Sequence, residues 1–385
     1  MAFPLDIPPG VRERLGPGTT VLLGISGGVD SAVSLAVLRE LGCDVQCVTF
    51  KNFCYGDASA DLTDKSCCSL EAIDDARRLA ARFDAPHWVG DVERPFREAV
   101  IDPFIADYAR AETPNPCLDC NGTVRFPELV RLAARQGCAF AATGHYARIA
   151  AVDGTMRLLR GVDPAKDQSY FLHRIDPELF PRLVFPLGWA DKTQVRAAAA
   201  ALGLPVATKR DSQEICFVPD GDRSFLFAEH ADGPATRPGD IVDRSGRVLG
   251  RHRGLIHYTV GQRKGLGVAA PEPLYVLELD LAGGRLVVGA REETLRTRVV
   301  ATGWQAAGPQ LPAQGEVAAG DEPVVARIRH RHGGARVAAW RLAAGRLELD
   351  LAEPVDAPAP GQACVLYRGD VVLGGGRIAR EADHG

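Results

Sequence analysis

Through the first half of the chain, short apolar runs alternate with stretches of helical period, and this rhythm changes near residue 210. Thr20-Val21-Leu22-Leu23-Gly24-Ile25 is a short, nearly continuous apolar run, which predicts a buried strand. A Ser-Gly-Gly turn follows, and helical spacing then continues to about Leu41. Residues 44–50 read as a second strand. From Ser69 to Phe83 the spacing is strongly helical, with Ser69 as the expected N-cap. His87–Val89 reads as a short strand, residues 94–110 and 123–135 as helical, and Ala139–Thr143 as a further strand. Strands that alternate with helices imply an α/β fold on a doubly wound parallel sheet.

Beyond residue 210 the chain is rich in Gly, Pro and short alternating strands. Leu274–Leu279 and Arg285–Val288 flank Ala282-Gly283-Gly284, which is a hairpin signal. Ala338–Leu342 and Arg346–Leu351 bracket Ala343-Ala344-Gly345 in the same way. The expected division is a parallel-sheet domain over 1–210, a small linker-like domain over 211–290 and a C-terminal β-barrel over 291–385.

Composition changes this picture little. Hydrophobic residues are 46% and charged residues 24%, the mix of a globular protein. No apolar run reaches the length of a membrane span, and no secretion or transit signal opens the chain, so a cytoplasmic protein without membrane contact is expected. The net charge of −4 argues against a surface wrapped wholly in nucleic acid, yet it leaves room for a local basic face. Ten cysteines in a chain expected to meet a reducing compartment point to redox, metal or catalytic roles more than to structural bridges.

The first candidate site is Gly24-Ile25-Ser26-Gly27-Gly28-Val29-Asp30-Ser31, between the first strand and the first helix. Adjacent glycines let backbone approach an anion, and the amides at the helix start, with the Ser26 and Ser31 hydroxyls, form an anion nest. Asp30 makes sense there if Mg²⁺ bridges it to phosphates. No Lys follows in the Walker position, so the usual reach for β- and γ-phosphates is missing. Ser-Gly-Gly-Val-Asp-Ser resembles the pyrophosphate-binding loop of the PP-loop ATPases, which split ATP between the α- and β-phosphates and adenylate a carbonyl oxygen. On this reading Asp30→Ala abolishes turnover and leaves the fold intact.

Two cysteine segments narrow the chemistry. One is Thr113-Pro114-Asn115-Pro116-Cys117-Leu118-Asp119-Cys120-Asn121, and the other is Asp211-Ser212-Gln213-Glu214-Ile215-Cys216-Phe217. Cys120, just before a helix expected near Thr123, sits where a thiol pKa is lowered. Cys43, Cys47, Cys138 and Cys364 read as small hydrophobes. Cys54, Cys67 and Cys68 fall in a segment, 51–68, that reads as an insertion.

With these segments the chain closely resembles the tRNA-specific 2-thiouridylase family, from about residue 20 to 378. The resemblance includes Ala142-Thr143-Gly144-His145-Tyr146, Lys166-Asp167-Gln168-Ser169-Tyr170-Phe171, Tyr258-Thr259-Val260-Gly261-Gln262-Arg263-Lys264-Gly265-Leu266-Gly267 and Pro360-Gly361-Gln362. It implies ATP-dependent 2-thiolation of a wobble uridine, with Mg²⁺, a tRNA anticodon stem-loop as substrate and an upstream persulfide donor protein as partner. It makes Cys120 the nucleophile and Cys216 the persulfide carrier. It assigns ATP contact to Gly24, Ile25, Ser26, Gly27, Gly28, Val29, Asp30, Ser31, Phe50 and Gly144. Asn115, Pro116 and Cys117 match the segment at the target base. His145, Lys166, Asp167, Gln168, Arg329, His330 and Gln362 match tRNA-contacting positions.

Many members of that family carry Asp where Cys117 stands. Two routes stay open here. In one, Cys120 and Cys216 work through a persulfide, and Cys117 or a neighbour such as Asp119 takes the acid–base role. In the other, Cys117, Cys120 and Cys216 ligate a [4Fe–4S] cluster. The persulfide route is favoured, because members with Asp keep the other two cysteines.

Basic runs supply the RNA surface: Arg251-His252-Arg253, Arg263-Lys264 and Ala326-Arg327-Ile328-Arg329-His330-Arg331-His332. Strand alternation would put Arg327, Arg329 and Arg331 on one face. A PP-loop ligase acting on a small metabolite would need neither the cysteine pair nor this basic region. A non-catalytic RNA-binding protein would need no intact Ser26, Asp30 and Ser31.

Overall fold

The structure is a computed structural model. It describes residues 3–53, 70–209, 215–218, 226–227, 233–318 and 320–380. Ser69, Cys54, Cys67, Cys68, Asp211, Ser212, Gln213 and Glu214 lie outside the described residues. The chain divides into two compact units. One comprises residues 1–100, 117–222 and 370–372; the other comprises 101–116, 223–369 and 373–385.

The first unit is built on five parallel strands: β1 (Thr20–Gly24), β2 (Asp44–Lys51), β3 (His87–Asp91), β4 (Phe140–Thr143) and β7 (Leu183–Val184). A hairpin of β5 (Ala147–Val152) and β6 (Thr155–Arg160) stands apart from this sheet. The strand order is β3-β2-β1-β4-β7. Successive strands step outward from β1 to β3, and the chain then crosses to the other side of β1 for β4. Ligands of open α/β sheets bind at such a reversal, outside the carboxyl ends of the strands.

The centre of the sheet is buried because its central strand is apolar on both faces. Val21, Leu22 and Leu23 have no exposed surface. Truncating Leu22 to Ala would cost ~2–5 kcal/mol in lost transfer and cavity terms. The helix Val29–Glu40 buries Val29, Ala32, Val33, Leu35, Ala36, Val37 and Leu38, so it lies deep and is not amphipathic. The helix Phe126–Arg135 instead buries one stripe, Phe126, Leu129 and Ala133, against β1 and β4. The helix Lys192–Ala201 packs on Val29–Glu40 and opens with a capping box between Asp191 and Gln194.

The second unit contains two β assemblies. β8 (Gly239–Val242), β9 (Val248–His252), β10 (Tyr275–Asp280) and β11 (Arg285–Gly289) form a sheet of order β10-β11-β8-β9. Ile241, Leu255, Val276, Leu286 and Val288 fill its core. The other assembly uses β12 (Leu295–Ala306), β13 (Gln314–Glu316), β14 (Val324–Arg327), β15 (Ala335–Ala343), β16 (Arg346–Asp356), β17 (Ala363–Arg368) and β18 (Val371–Ile378). Its order β12-β16-β15-β14-β17-β18 closes by a β12–β18 pairing into a six-stranded barrel. Closure removes the sheet edges. Both expected hairpins, β10–β11 and β15–β16, are present.

Two local expectations are corrected. The helical run that carries the paired cysteines begins at Pro116, not near Thr123. Proline suits the first helical position, where its missing N–H costs nothing. A turn of π-helix, Cys120–Arg125, then leads into Phe126–Arg135. Cys120 is therefore inside the run, and Cys117 is the thiol at its start.

The arginine ladder also fails. β14 ends at Arg327, and residues 328–331 bend away toward β15. Arg327 is 7% exposed, with its guanidinium 5.8 Å from the centre of the Tyr367 ring and a hydrogen bond to the His330 carbonyl. Only Arg329 and Arg331 of the three are exposed.

Candidate active site

The loop 24–31 leaves the carboxyl end of β1 where the strand order reverses. Its shape is set by internal hydrogen bonds. The Ile25 N–H donates to the Val48 carbonyl at 2.9 Å. The Ser31 hydroxyl accepts from the Ser26 N–H at 3.3 Å and donates to the Gly28 carbonyl at 3.0 Å. Ser31 is thus committed to closing the loop, while Ser26 is exposed at its mouth.

Gly27 has φ +67, and a Cβ there would stand 2.9 Å from the Asp75 Cβ. Gly144 follows β4, and a Cβ on it would stand 2.9 Å from the Asp30 carbonyl carbon. Both positions demand glycine for close approach. They bring the end of β4 and the helix Leu70–Arg82 directly against the loop. Phe50, half-buried at the end of β2, lies against Gly90 of β3 in parallel register.

Asp30 is not a lone acid. Its Oδ1 accepts from the Tyr146 hydroxyl at 2.7 Å, and the Lys192 ammonium donates to Oδ1 and Oδ2 at 2.7 and 2.8 Å. The sequence reading missed Lys192, because Asp191-Lys192-Thr193-Gln194 reads only as a helix start. It missed Lys209 as well. That ammonium donates to Asp75 Oδ2 at 2.9 Å and to the Gly27 carbonyl at 3.3 Å. The Lys209 hydrogen bond, chiefly, holds the Asp75 carboxyl below its usual range.

The cysteine run is anchored to the segment 168–174. The buried Asn121 amide donates to the Phe171 carbonyl at 3.1 Å, and Asp119 is ion-paired with Arg174. Asp119 is therefore engaged, which weakens it as a substitute acid. Cys117 is exposed, Cys120 buried and Cys216 half-buried, and none is joined in a disulfide. Phe217, next to Cys216, is buried among Phe53 and Phe96, with ring centres 6.4 and 5.7 Å away. Among the described residues, no group of three or more His, Cys, Asp or Glu side chains is set to hold a metal ion. The cluster route has no support in this arrangement and is carried no further. Burial pushes the Cys47 and Cys364 thiols up to about 12, in keeping with inert core residues.

The remaining expected residues are placed as follows. His145 packs between Phe126 and Phe185, with ring centres 5.5 and 5.9 Å away, and its Nδ1 lies 2.8 Å from the Thr143 hydroxyl. Burial, with the Arg125 charge adding, pushes its pKa down to about 3, so the ring is neutral. Asp167 is 3% exposed, and its carboxylate accepts from the Gly161 and Ser169 amides and the Ser169 hydroxyl, so it orders its own loop. Gln168 accepts from the Tyr146 amide at 2.8 Å. Lys166 is half-buried.

In the second unit, Gln362 donates to the Thr113 carbonyl at 2.8 Å, and the Thr113 amide donates to the Pro360 carbonyl at 2.8 Å. These bonds fix the loop that leads to Asn115, half-buried, and Pro116, buried. Arg329 is exposed and donates to the Asp356 carbonyl at 3.1 Å, while His330 is half-buried.

Comparison with known proteins agrees with this architecture. Residues 19–220 match the family described as tRNA methyl transferase HUP domain. Residues 230–290 match its PRC-barrel domain, and 304–378 match the aminomethyltransferase beta-barrel domain. The strand order, the loop at its reversal and these matches define a HUP-domain protein that carries two β modules.

Three curated relatives carry the same name. The tRNA-specific 2-thiouridylase MnmA of Geobacter metallireducens is 44% identical over 363 residues, covering 93% of this chain and 96% of that protein. That of Methylobacterium radiotolerans is 44% identical over 383 residues, covering 98% and 96%. That of Brucella melitensis is 45% identical over 370 residues, covering 94% and 90%. The chain belongs to the tRNA-specific 2-thiouridylase family. No helix among the described residues is long and apolar enough to cross a membrane.

Proposed function

We propose that the protein is an ATP-dependent tRNA-uridine 2-sulfurtransferase acting on a wobble uridine of the anticodon stem-loop. The observation that carries the reading is the Ser26–Ser31 loop at the sheet's reversal point, in a chain that also presents the Cys117–Cys120 run and Cys216. Residues 1–210 serve as the catalytic domain, and 211–290 and 291–385 as the RNA-binding modules.

The uracil C2 oxygen is a poor leaving group. It attacks the α-phosphorus of ATP and expels pyrophosphate, which gives an O-adenylated base. The terminal sulfur of a Cys216 persulfide, loaded by a donor protein, attacks C2 and expels AMP together with the oxygen. The Cys120 thiolate then attacks Cys216 Sγ. The S–S bond to the base breaks, its electron pair leaves on the 2-thiouridine sulfur, and a Cys120–Cys216 disulfide remains. A two-electron reductant restores both thiols.

The loop amides and Ser26 receive the polyphosphate, and Phe50 packs on adenine. Magnesium on ATP needs only one or two protein carboxylates, and Asp30, with its side chain 32% exposed, fits that part. When bound, the metal neutralises phosphate charge. Asn115, Pro116 and Cys117 flank the inserted base, which must leave its stack.

The test is product analysis with α-labelled ATP and unmodified tRNA. Labelled AMP with pyrophosphate is expected; labelled ADP alone overturns the adenylation.

A further inference from the structure

Lys192 stands where elementary electrostatics disfavours a lysine. It is the first residue of the helix Lys192–Ala201, at the end where the helix dipole is positive. It is also 8% exposed, so its ammonium has lost most of its water. The backbone around it is fixed: the Lys192 amide donates to Asp163 Oδ2 at 3.0 Å, and the Asp191–Gln194 capping box locks the helix start. The side chain reaches across to the nucleotide loop and holds both oxygens of Asp30, with its nitrogen 5.6 Å from the centre of the Tyr146 ring.

An ion pair held only for stability is a poor use of such a position, because desolvation offsets much of the attraction. A loop that binds a polyanion has a different need. It lacks the lysine that phosphate loops ordinarily carry in sequence, and its one acid, Asp30, repels phosphate.

We infer that Lys192 is the missing phosphate-binding lysine, delivered to the loop from a distant helix. In the empty loop it neutralises Asp30. With ATP bound, its ammonium donates to the β-phosphate oxygens and stabilises the charge that develops on the pyrophosphate leaving group. Asp30, released from the ammonium, would then be available to hold the nucleotide's magnesium, which would supply charge neutralisation. This rests on the proposed adenylation and names the residue that assists it.

The test is binding of ATP, inorganic pyrophosphate and AMP to the full-length protein, wild type against Lys192→Met and Lys192→Arg. Lys192→Met should weaken ATP and pyrophosphate at least tenfold and AMP less than twofold, with Lys192→Arg recovering most of the loss. Because Lys192→Met leaves the Asp30 charge uncompensated, the double variant D30N/K192M, read against Asp30→Asn alone, keeps the test readable if the single lysine variant does not fold. Relative to Asp30→Asn it too should lose pyrophosphate more than AMP. Unchanged affinities, or equal losses for all three ligands, would make Lys192 a structural partner only and overturn the inference. Failure of the wild type to form AMP with tRNA would overturn the proposed function instead, and pyrophosphate binding would still read Lys192.

Discussion

Asp30 is held by the Lys192 ammonium and the Tyr146 hydroxyl, and on the proposed reading it would also hold the nucleotide's magnesium. Replacing Asp30 with Ala strips the charge opposite Lys192, so a fold that stays intact is expected to lose some stability. Breaking a fully buried pair costs ~3–5 kcal/mol; with Asp30 partly exposed, solvent screening brings the expected loss to ~1–3 kcal/mol. Asp30→Asn keeps an acceptor and should lose less. Urea unfolding of the two variants decides, and a midpoint equal to wild type for Asp30→Ala would show that the pair contributes nothing. Two histidines add a pH dependence. Burial lowers His145 to about 3 and His173 to about 4, against an ordinary 6.5. As pH falls, the unfolded chain takes up these protons first. Their stabilisation is therefore complete above pH 6.5 and is lost as pH falls toward the folded values. Each contributes a slope that approaches about 1.4 kcal/mol per pH unit once pH is well below 6.5, so unfolding free energies between pH 6 and 5 should fall by about 2 kcal/mol from the pair. His173→Asn should halve that slope, and an unchanged slope would contradict the burial argument.

At the scale of elements, the run from Pro116 to Arg135 positions the thiols, and its π-turn is held by Gly122. A Cβ on Gly122 would stand 2.8 Å from the Arg174 carbonyl oxygen and 2.9 Å from its Cβ. Gly122→Ala should force the run to shift, costing ~1–3 kcal/mol by overpacking and lowering thiolation at least tenfold. Full activity in that variant would mean that Cys120 is not placed by this close approach. The parallel sheet and the hairpins were legible because apolar patterning reports burial directly, whereas the strand order, set by tertiary pairing, was not. The run's true start was not, since Asn115-Pro116 reads equally as loop proline or first helical residue. The barrel strand after Val324 misled for a related reason. Alternation in Arg327, Arg329 and Arg331 looks like a strand, but nothing local announces that pairing stops at Arg327. Lys192 was invisible because its partner is 162 residues away, a purely tertiary juxtaposition.

For the whole molecule, a net charge of −4 means that RNA binding must come from local cations. Arg329 and Arg331 are exposed and Arg327 is internal. Replacing Arg329 and Arg331 with Ala should lower the salt slope of tRNA binding by roughly 1 for each phosphate that is no longer neutralised, with ATP binding unchanged. Arg327→Ala should act on barrel stability instead, and an unaltered slope in the double variant would place those two side chains away from RNA. On the proposed reading, one chain joins adenylation to sulfur transfer through two thiols. The most direct test is nucleoside mass spectrometry of unmodified tRNA incubated with ATP, a persulfide donor and wild type, Cys120→Ser or Cys216→Ser protein. Wild type should give 2-thiouridine at the wobble position, matched one to one by AMP, and either variant should give none. Undiminished 2-thiouridine from either serine variant would contradict it.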